Sequence, residues 1–298
     1  DQLLQRIQTE RAARYATQLQ QWENAMAPWE SDAKKGKKPT KPRLPHTVTL
    51  LTDMRLASPI ELPEGWTWFT VKDVGRIETG TTPPTNNPAN YGSEIAFFKP
   101  TDLEQGAIVR NAREYLSKQG GLAARILPTG TTLVTCIGAT IGKSGMAVVE
   151  CATNQQINTI SPEVCLEPLF VYYAAIAPSF NGLVKSQASA TTLPILNKSK
   201  FEALPFPLCS LPEQQEIVRL LDEQFTVIAQ NEREIDAALK RSEALRQSIL
   251  KKAFSGQLVP QDPTDEPATK MLERIRSERE LTAKAPKKKI ARKRSVTS

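Results

Sequence analysis

Apolar side chains in the first 27 residues recur at three- and four-residue steps. Leu3, Leu4, Ile7, Tyr15 and Leu19 share one face with Arg11 and Arg14. No Gly or Pro interrupts them, so the spacing predicts an amphipathic helix over residues 1–28, ended by Pro28. Over 29–61 the pattern is lost. Lysines, Gly36 and prolines at 39, 42, 45 and 59 leave too little apolar surface to bury, so this stretch is expected to be a linker. From Leu62 onward, short β-branched runs at 108–109, 131–137 and 146–149 are punctuated by Gly and Pro, which predicts short strands and tight turns. One helix is expected among them at 167–176, from Leu169, Phe170, Tyr172, Tyr173 and Ile176. Residues 62–211 therefore predict a compact mixed domain of the α+β class.

The texture changes again at Pro212, which suits the first turn of a helix. Residues 213–254 contain neither Gly nor Pro and carry a heptad seam through Val218, Leu221, Phe225, Ile228, Ile235, Leu239 and Ile249. A helix over 212–256, roughly 60 Å long at 1.5 Å per residue, needs a partner helix to bury such a seam. Gly256 supplies a stop, and residues 257–298 end in a basic tail. The two ends of the chain also resemble each other. Leu3-Leu4-Gln5-Arg6-Ile7-Gln8-Thr9-Glu10-Arg11 matches Met271-Leu272-Glu273-Arg274-Ile275-Arg276-Ser277-Glu278-Arg279, with identity at residues 4, 6, 7, 10 and 11. Such a match suggests a structural unit with a period of 268 residues. The chain would then be the second half of a tandem duplication.

Charge adds less than its total suggests. The net +7 is accounted for by seven cations at 284–294, and a second run of six lies at 34–43. Residues 62–210 balance 11 Lys and Arg against 11 Asp and Glu, so net charge says nothing about nucleic acid binding by the folded part. The four cysteines are scattered and His46 is the one histidine, which argues against a zinc site and for buried free thiols. No apolar run reaches the roughly 20 residues of a membrane helix, and no secretory leader is visible, so a cytoplasmic location is expected.

Catalytic motifs fail one by one. Gly138-Ala139-Thr140-Ile141-Gly142-Lys143-Ser144 is one residue too short for a phosphate-binding loop, whose length sets how backbone amides wrap phosphate. Thr82-Pro83-Pro84-Thr85 and Asn87-Pro88-Ala89-Asn90-Tyr91 each match only part of a methyltransferase catalytic motif, and Pro100-Thr101-Asp102-Leu103-Glu104 lacks the Lys and carboxylate spacing of a nuclease. The sequence therefore predicts a protein without catalysis or cofactor.

Three segments resemble the specificity subunit of type I restriction–modification systems. They are Leu62-Pro63-Glu64-Gly65-Trp66-Thr67-Trp68 with Gly80-Thr81-Thr82-Pro83, the run 138–143 with Asn154-Gln155-Gln156-Ile157-Asn158, and the junction 193–218 containing Leu211-Pro212-Glu213-Gln214-Gln215-Glu216. The resemblance implies a target-recognition domain that reads one half of a bipartite double-stranded DNA site. It also implies a long conserved spacer helix that pairs with a second such helix, in a missing half or in another copy. Partners would be methyltransferase (modification) subunits and a restriction/translocase subunit, which carry the chemistry. A self-dimerising half-subunit reading a palindromic site, and a coiled-coil adaptor without base readout, remain alternatives.

Base edges call for fixed donor–acceptor pairs, and phosphates for cations or small donors. On that ground Asn154, Gln155 and Gln187 are candidate base readers. Lys99, Lys143, Lys198 and Lys200 are candidate phosphate contacts, and Thr81, Thr82, Thr191 and Thr192 could serve either role. For each there is a bland alternative: a backbone-bonding turn for 154–156, a shaped turn for Thr81 and Thr82, and a solvated lysine for Lys143.

Overall fold

The computed structural model describes residues 2–31, 36, 38–45, 47–48, 61–189 and 193–284. It divides into two units, residues 1–225 and 226–298. The chain begins with a helix, α1 (Gln2–Ser31), whose first turns bury Ile7 and Arg11. Pro28 does not end it: the helix runs three residues further. A proline forfeits one backbone hydrogen bond and clashes with the preceding turn. Here only the last turn follows it, and the Ser31 hydroxyl donates to the Pro28 carbonyl at 2.9 Å. Part of the expected linker lies along this helix, where Trp22 Nε1 donates to the Pro39 carbonyl at 3.1 Å and Lys41 sits 5.4 Å from the Trp22 ring centroid.

The middle domain is built on three small sheets. Strand β1 (Thr67–Thr70) pairs antiparallel with β9 (Pro205–Leu208), joining the opening of the domain to its end. Strands β2 (Gly75–Thr79), β8 (Ile157–Pro162), β5 (Thr131–Thr135) and β6 (Ser144–Ala147) form an antiparallel sheet in that spatial order. The third sheet places β3 (Tyr91–Phe98) between antiparallel β4 (Glu114–Leu116) and parallel β7 (Cys151–Thr153). Every residue of β5 and β6 is buried, so neither strand alternates between apolar and exposed polar positions.

Among the described residues this domain holds five helices where the pattern predicted one. The expected helix is α4 (Pro168–Ile176). The short α2 (Val71–Val74), α3 (Lys118–Ala123) and α6 (Lys198–Glu202) were not legible, being too brief to show a 3.6-residue period, and α5 (Pro178–Ser186), as long as α4, was not expected either. Their caps were visible as residues: the Ser117 side chain accepts from Gly120 N, the Asn197 side chain accepts from Lys200 N, and Pro178 opens α5. The main core packs Phe69, Val71, Val74, Phe170, Phe180, Phe201 and Phe206 together with Ile7 of α1 and Val218 further along the chain. The four cysteines are buried free thiols, each pushed up to about 12, mainly by burial.

Helix α7 (Leu211–Phe254) is continuous over 44 residues, and α8 (Ala268–Lys284) follows it. Within the first unit, the start of α7 is locked to the middle domain. Gln214, wholly buried, accepts from Glu167 N at 3.0 Å and donates to the Cys209 carbonyl at 2.8 Å. Trp66 Nε1 donates to Glu213 at 2.8 Å, and the Tyr173 hydroxyl donates to Asp222 at 2.6 Å. Gln214 thereby satisfies two backbone groups at the junction.

Candidate nucleic-acid interface

The end of β2 and the β7–β8 turn come together to form one polar patch. Gly80 N donates to the Ile157 carbonyl at 3.0 Å and Thr81 N to the Thr153 carbonyl at 2.9 Å. Gly80 is required by this approach. A Cβ there would lie 2.1 Å from the Asn154 carbonyl oxygen and 2.3 Å from Thr153 Oγ1. The strand therefore lies directly on the turn, and the Thr82 hydroxyl donates to Gln155 Oε1 at 2.6 Å. Asn154 is the buried pivot of that turn: its Oδ1 accepts from Gln156 N at 3.2 Å and its Nδ2 donates to Gln156 Oε1 at 2.8 Å. Its amide is engaged inside the turn, while Gln155 at the apex is exposed. Arg125, which the sequence reading passed over, donates from Nη1 to the Thr79 carbonyl at 2.6 Å and holds an exposed guanidinium beside the threonines. The signal available for it was a lone arginine in a Gly- and Leu-flanked loop, which periodicity does not flag.

The candidate lysines are distributed elsewhere, and each meets a partner. Lys143 Nζ donates to Glu104 at 2.9 Å, and Lys99 bonds Glu114 while lying over the Phe97 ring. Hydrogen bonding to Lys143 holds the Glu104 carboxyl below its ordinary range. Lys198 faces Glu202 at 3.5 Å, and Lys200 Nζ donates to the Gln187 carbonyl at 3.4 Å, bringing Gln187, Lys198 and Lys200 into one α5–α6 corner. Thr191 and Thr192, like the basic tail at 285–298, lie outside the described residues. Exposed pairs of this kind are worth little in water, so the lysines remain able to exchange a carboxylate for a phosphate.

The glycine-rich run at 138–143 is a hairpin connection between β5 and β6. Gly138 and Gly142 have φ of 97° and 87°, and Gly142 N and Thr135 N bond back across the loop. With the amides of Gly138, Ile141, Gly142 and Lys143 already bonded to backbone carbonyls and a strand following it, the loop does not have the form of a phosphate cradle.

The heptad seam divides in two. Val218 is 8% exposed and belongs to the core of the middle domain, Leu221 is half-buried, and Phe225 stacks obliquely on Tyr173 at 5.5 Å. The sequence pattern could not separate these from the rest, because a seam facing the helix's own domain has the same spacing as one facing a partner helix. Ile228, Ile235, Leu239 and Ile249 are exposed.

The domain closed by β1–β9 and the start of the helix joined to it through Gln214 are matched together by a known family. The model of the type I restriction modification DNA specificity domain matches residues 63–241, which span the middle domain and the first part of α7. The chain belongs to this family. Among curated relatives, the type I restriction enzyme HindI specificity subunit of Haemophilus influenzae is 27% identical over 66% of this chain and 42% of its own length. The EcoDI specificity subunit of Escherichia coli is 26% identical over 78% of this chain and 52% of its own length. The chain thus spans about half the length of the curated relatives it matches. A solved chain described under complex assembly and conformational transition of the type I R-M system shares the fold, with a TM-score of 0.55 at 22% identity over 86% of this chain and 57% of that one. Among the described residues, no helix is long and apolar enough to cross a membrane.

Proposed function

We propose that residues 62–211 are a target-recognition domain that reads one half of a bipartite double-stranded DNA site without catalysing any reaction. In this reading, α7 is a spacer helix on which methyltransferase and restriction subunits assemble, and those partners carry the chemistry. The observation that carries it is the family match across both the domain and the domain–helix junction. The geometry agrees with it. Gln155, at a turn apex bonded to Thr82, presents an amide suited to bidentate pairing with adenine, and Arg125, bonded to the Thr79 carbonyl, presents a guanidinium suited to phosphate or guanine. Lys143, Lys198 and Lys200 position the backbone. Mapping methylated sites in DNA exposed to this chain together with a type I methyltransferase subunit tests the proposal. Methylation of a defined bipartite sequence is expected; its absence refutes the reading.

The exposed residues Ile228, Ile235, Leu239 and Ile249 favour one variant of this function, in which two copies pair through α7 and read a palindromic bipartite site. Sedimentation at micromolar concentration separates the two, since a stable monomer excludes the self-paired form.

A further inference from the structure

Helix α3 is short and carries two adjacent glycines, Gly120 and Gly121, residues poorly suited to a helix interior. What lies beneath them explains their place. A Cβ at Gly120 would lie 1.9 Å from the Asn90 carbonyl oxygen, and one at Gly121 would lie 2.3 Å from Ile95 Cδ1. Both glycines are buried, so the helix backbone rests directly on residues 88–90 and on β3. Ser117 fixes it there, its N donating to the Asn90 carbonyl at 3.0 Å and its hydroxyl to the Ala89 carbonyl at 2.5 Å. With the glycine side held down, Lys118, Gln119, Leu122 and Ala123 fall on an opposite arc of about 140°. All four are exposed.

Leu122 is 90% exposed, so burial within this domain does not account for an apolar residue there. Around it the charge has one sign. Residues 115–149 contain Lys118, Arg125 and Lys143 and no Asp or Glu. The support beneath α3 is also bonded to the segment that follows Thr82. Asn90 Nδ2 donates to the Pro84 carbonyl at 3.0 Å, and the Tyr91 hydroxyl donates to the Pro83 carbonyl at 3.3 Å. Arg125, just past the helix, reaches the Thr79 carbonyl, and Thr82 bonds Gln155. The exposed face of α3 is thus tied to the Gln155 turn through hydrogen bonds.

We propose that α3 is a reading helix, in which Leu122 packs on the 5-methyl group of a thymine in the major groove and Gln119 pairs with a neighbouring base. Lys118 and Arg125 hold phosphates beside it. A major groove about 12 Å wide admits a helix, and the thymine methyl is the apolar group it displays. The cations without carboxylates over 115–149 suit a polyanion. This role of α3 rests on the domain reading DNA, as proposed above, and adds which element enters the groove.

The test uses the full chain with a type I methyltransferase subunit, once its methylated site has been mapped. Each thymine of that site is replaced in turn by uracil, which removes the methyl group and keeps the base pairing. One replacement should weaken binding by the parent complex about fourfold, the worth of one buried methyl group. In Leu122→Ala that replacement should have no effect, whereas Leu122→Met should keep it. Leu122→Ala should melt with the parent. Gln119→Ala should relax the preference at an adjacent base at least about fivefold. Equal sensitivity of the parent and Leu122→Ala to every uracil replacement overturns the proposal, and so does a half-site without thymine. Loss of methyltransferase-subunit binding in Leu122→Ala also overturns it, because Leu122 would then serve a protein face. If the parent methylates no defined site, the proposed function falls and the role of α3 with it; if it does and the uracil effects are unaltered, the role of α3 alone falls.

Discussion

Arg11→Ala removes from one guanidinium the hydrogen bonds to Glu163, the Lys72 carbonyl and the Asp73 carbonyl, and a charge 4.0 Å from the Asp73 carboxylate. The charged groups sit where water has little access: the side chains of Arg11, Asp73 and Glu163 are 4%, 1% and 1% exposed. Breaking a buried pair by deleting one partner costs about 3–5 kcal/mol, because the remaining charge is left uncompensated. Glu163 is not abandoned here, since Arg14 still donates to both of its oxygens at 2.6 and 3.0 Å. The loss should therefore lie at the low end, about 3 kcal/mol, equivalent to a fall in melting temperature of roughly 6–12 °C for a protein of this size. Urea and thermal unfolding followed by circular dichroism measure it. A double-mutant cycle with Glu163→Gln should return a coupling of about 1–3 kcal/mol. A loss below about 1 kcal/mol for Arg11→Ala, or additive effects of the two substitutions, would refute the claim that this cluster anchors α1.

Burial by itself would raise the Glu163 carboxyl, but hydrogen bonds from Arg14 and Arg11, with their charges, outweigh it and hold the group below its ordinary range. Its stabilisation is thus complete above the unfolded value of about 4.3 and is lost as pH falls through the lower folded value. Acid titration of stability below about pH 4 should be shallower in Glu163→Gln than in the parent. Gly80→Ala should cost about 1–3 kcal/mol by overpacking against the Asn154 carbonyl, and should weaken DNA selectivity by moving Thr81 and Thr82, as read by melting and by site mapping. Gln155→Ala should reduce discrimination between target sequences by about 1–3 kcal/mol, whereas Lys200→Ala should weaken all sequences alike and flatten the salt dependence. Val218→Ala should destabilise the isolated chain by about 1–3 kcal/mol. Ile235→Asp should leave that stability within about 0.5 kcal/mol while abolishing helix pairing seen by sedimentation.

The chain's large divisions were legible because they are periodic. Residues 213–254 carry enough heptads, free of Gly and Pro, to specify a long helix from sequence alone. Strand β5 was legible as a β-branched run after a glycine, whereas β6 (Ser144–Ala147) begins two residues before the predicted run at 146–149 and overlaps it only in part. The strand pairing was not legible, because β1 meets β9 across 138 residues or so and no local signal encodes that partner. In the same way, Asn154 and Gln155 are neighbours of similar chemistry; only the turn geometry buries one and exposes the other.

What the sequence determined by itself was the order of a mixed domain followed by a long helix, and a resemblance between the two ends of the chain. Each of these depends on residues close together in the chain or on direct comparison of two segments. The tertiary structure decided which face of each element is engaged. It turned Val218 into the core while leaving Ile235 in solvent, paired Lys143 with Glu104, set Arg125 beside Thr79, and made Arg11 the closure of a buried pocket. Those outcomes depend on which distant groups arrive at the same place, and on the cost of leaving a buried charge or amide unpaired, so no reading of local spacing contains them.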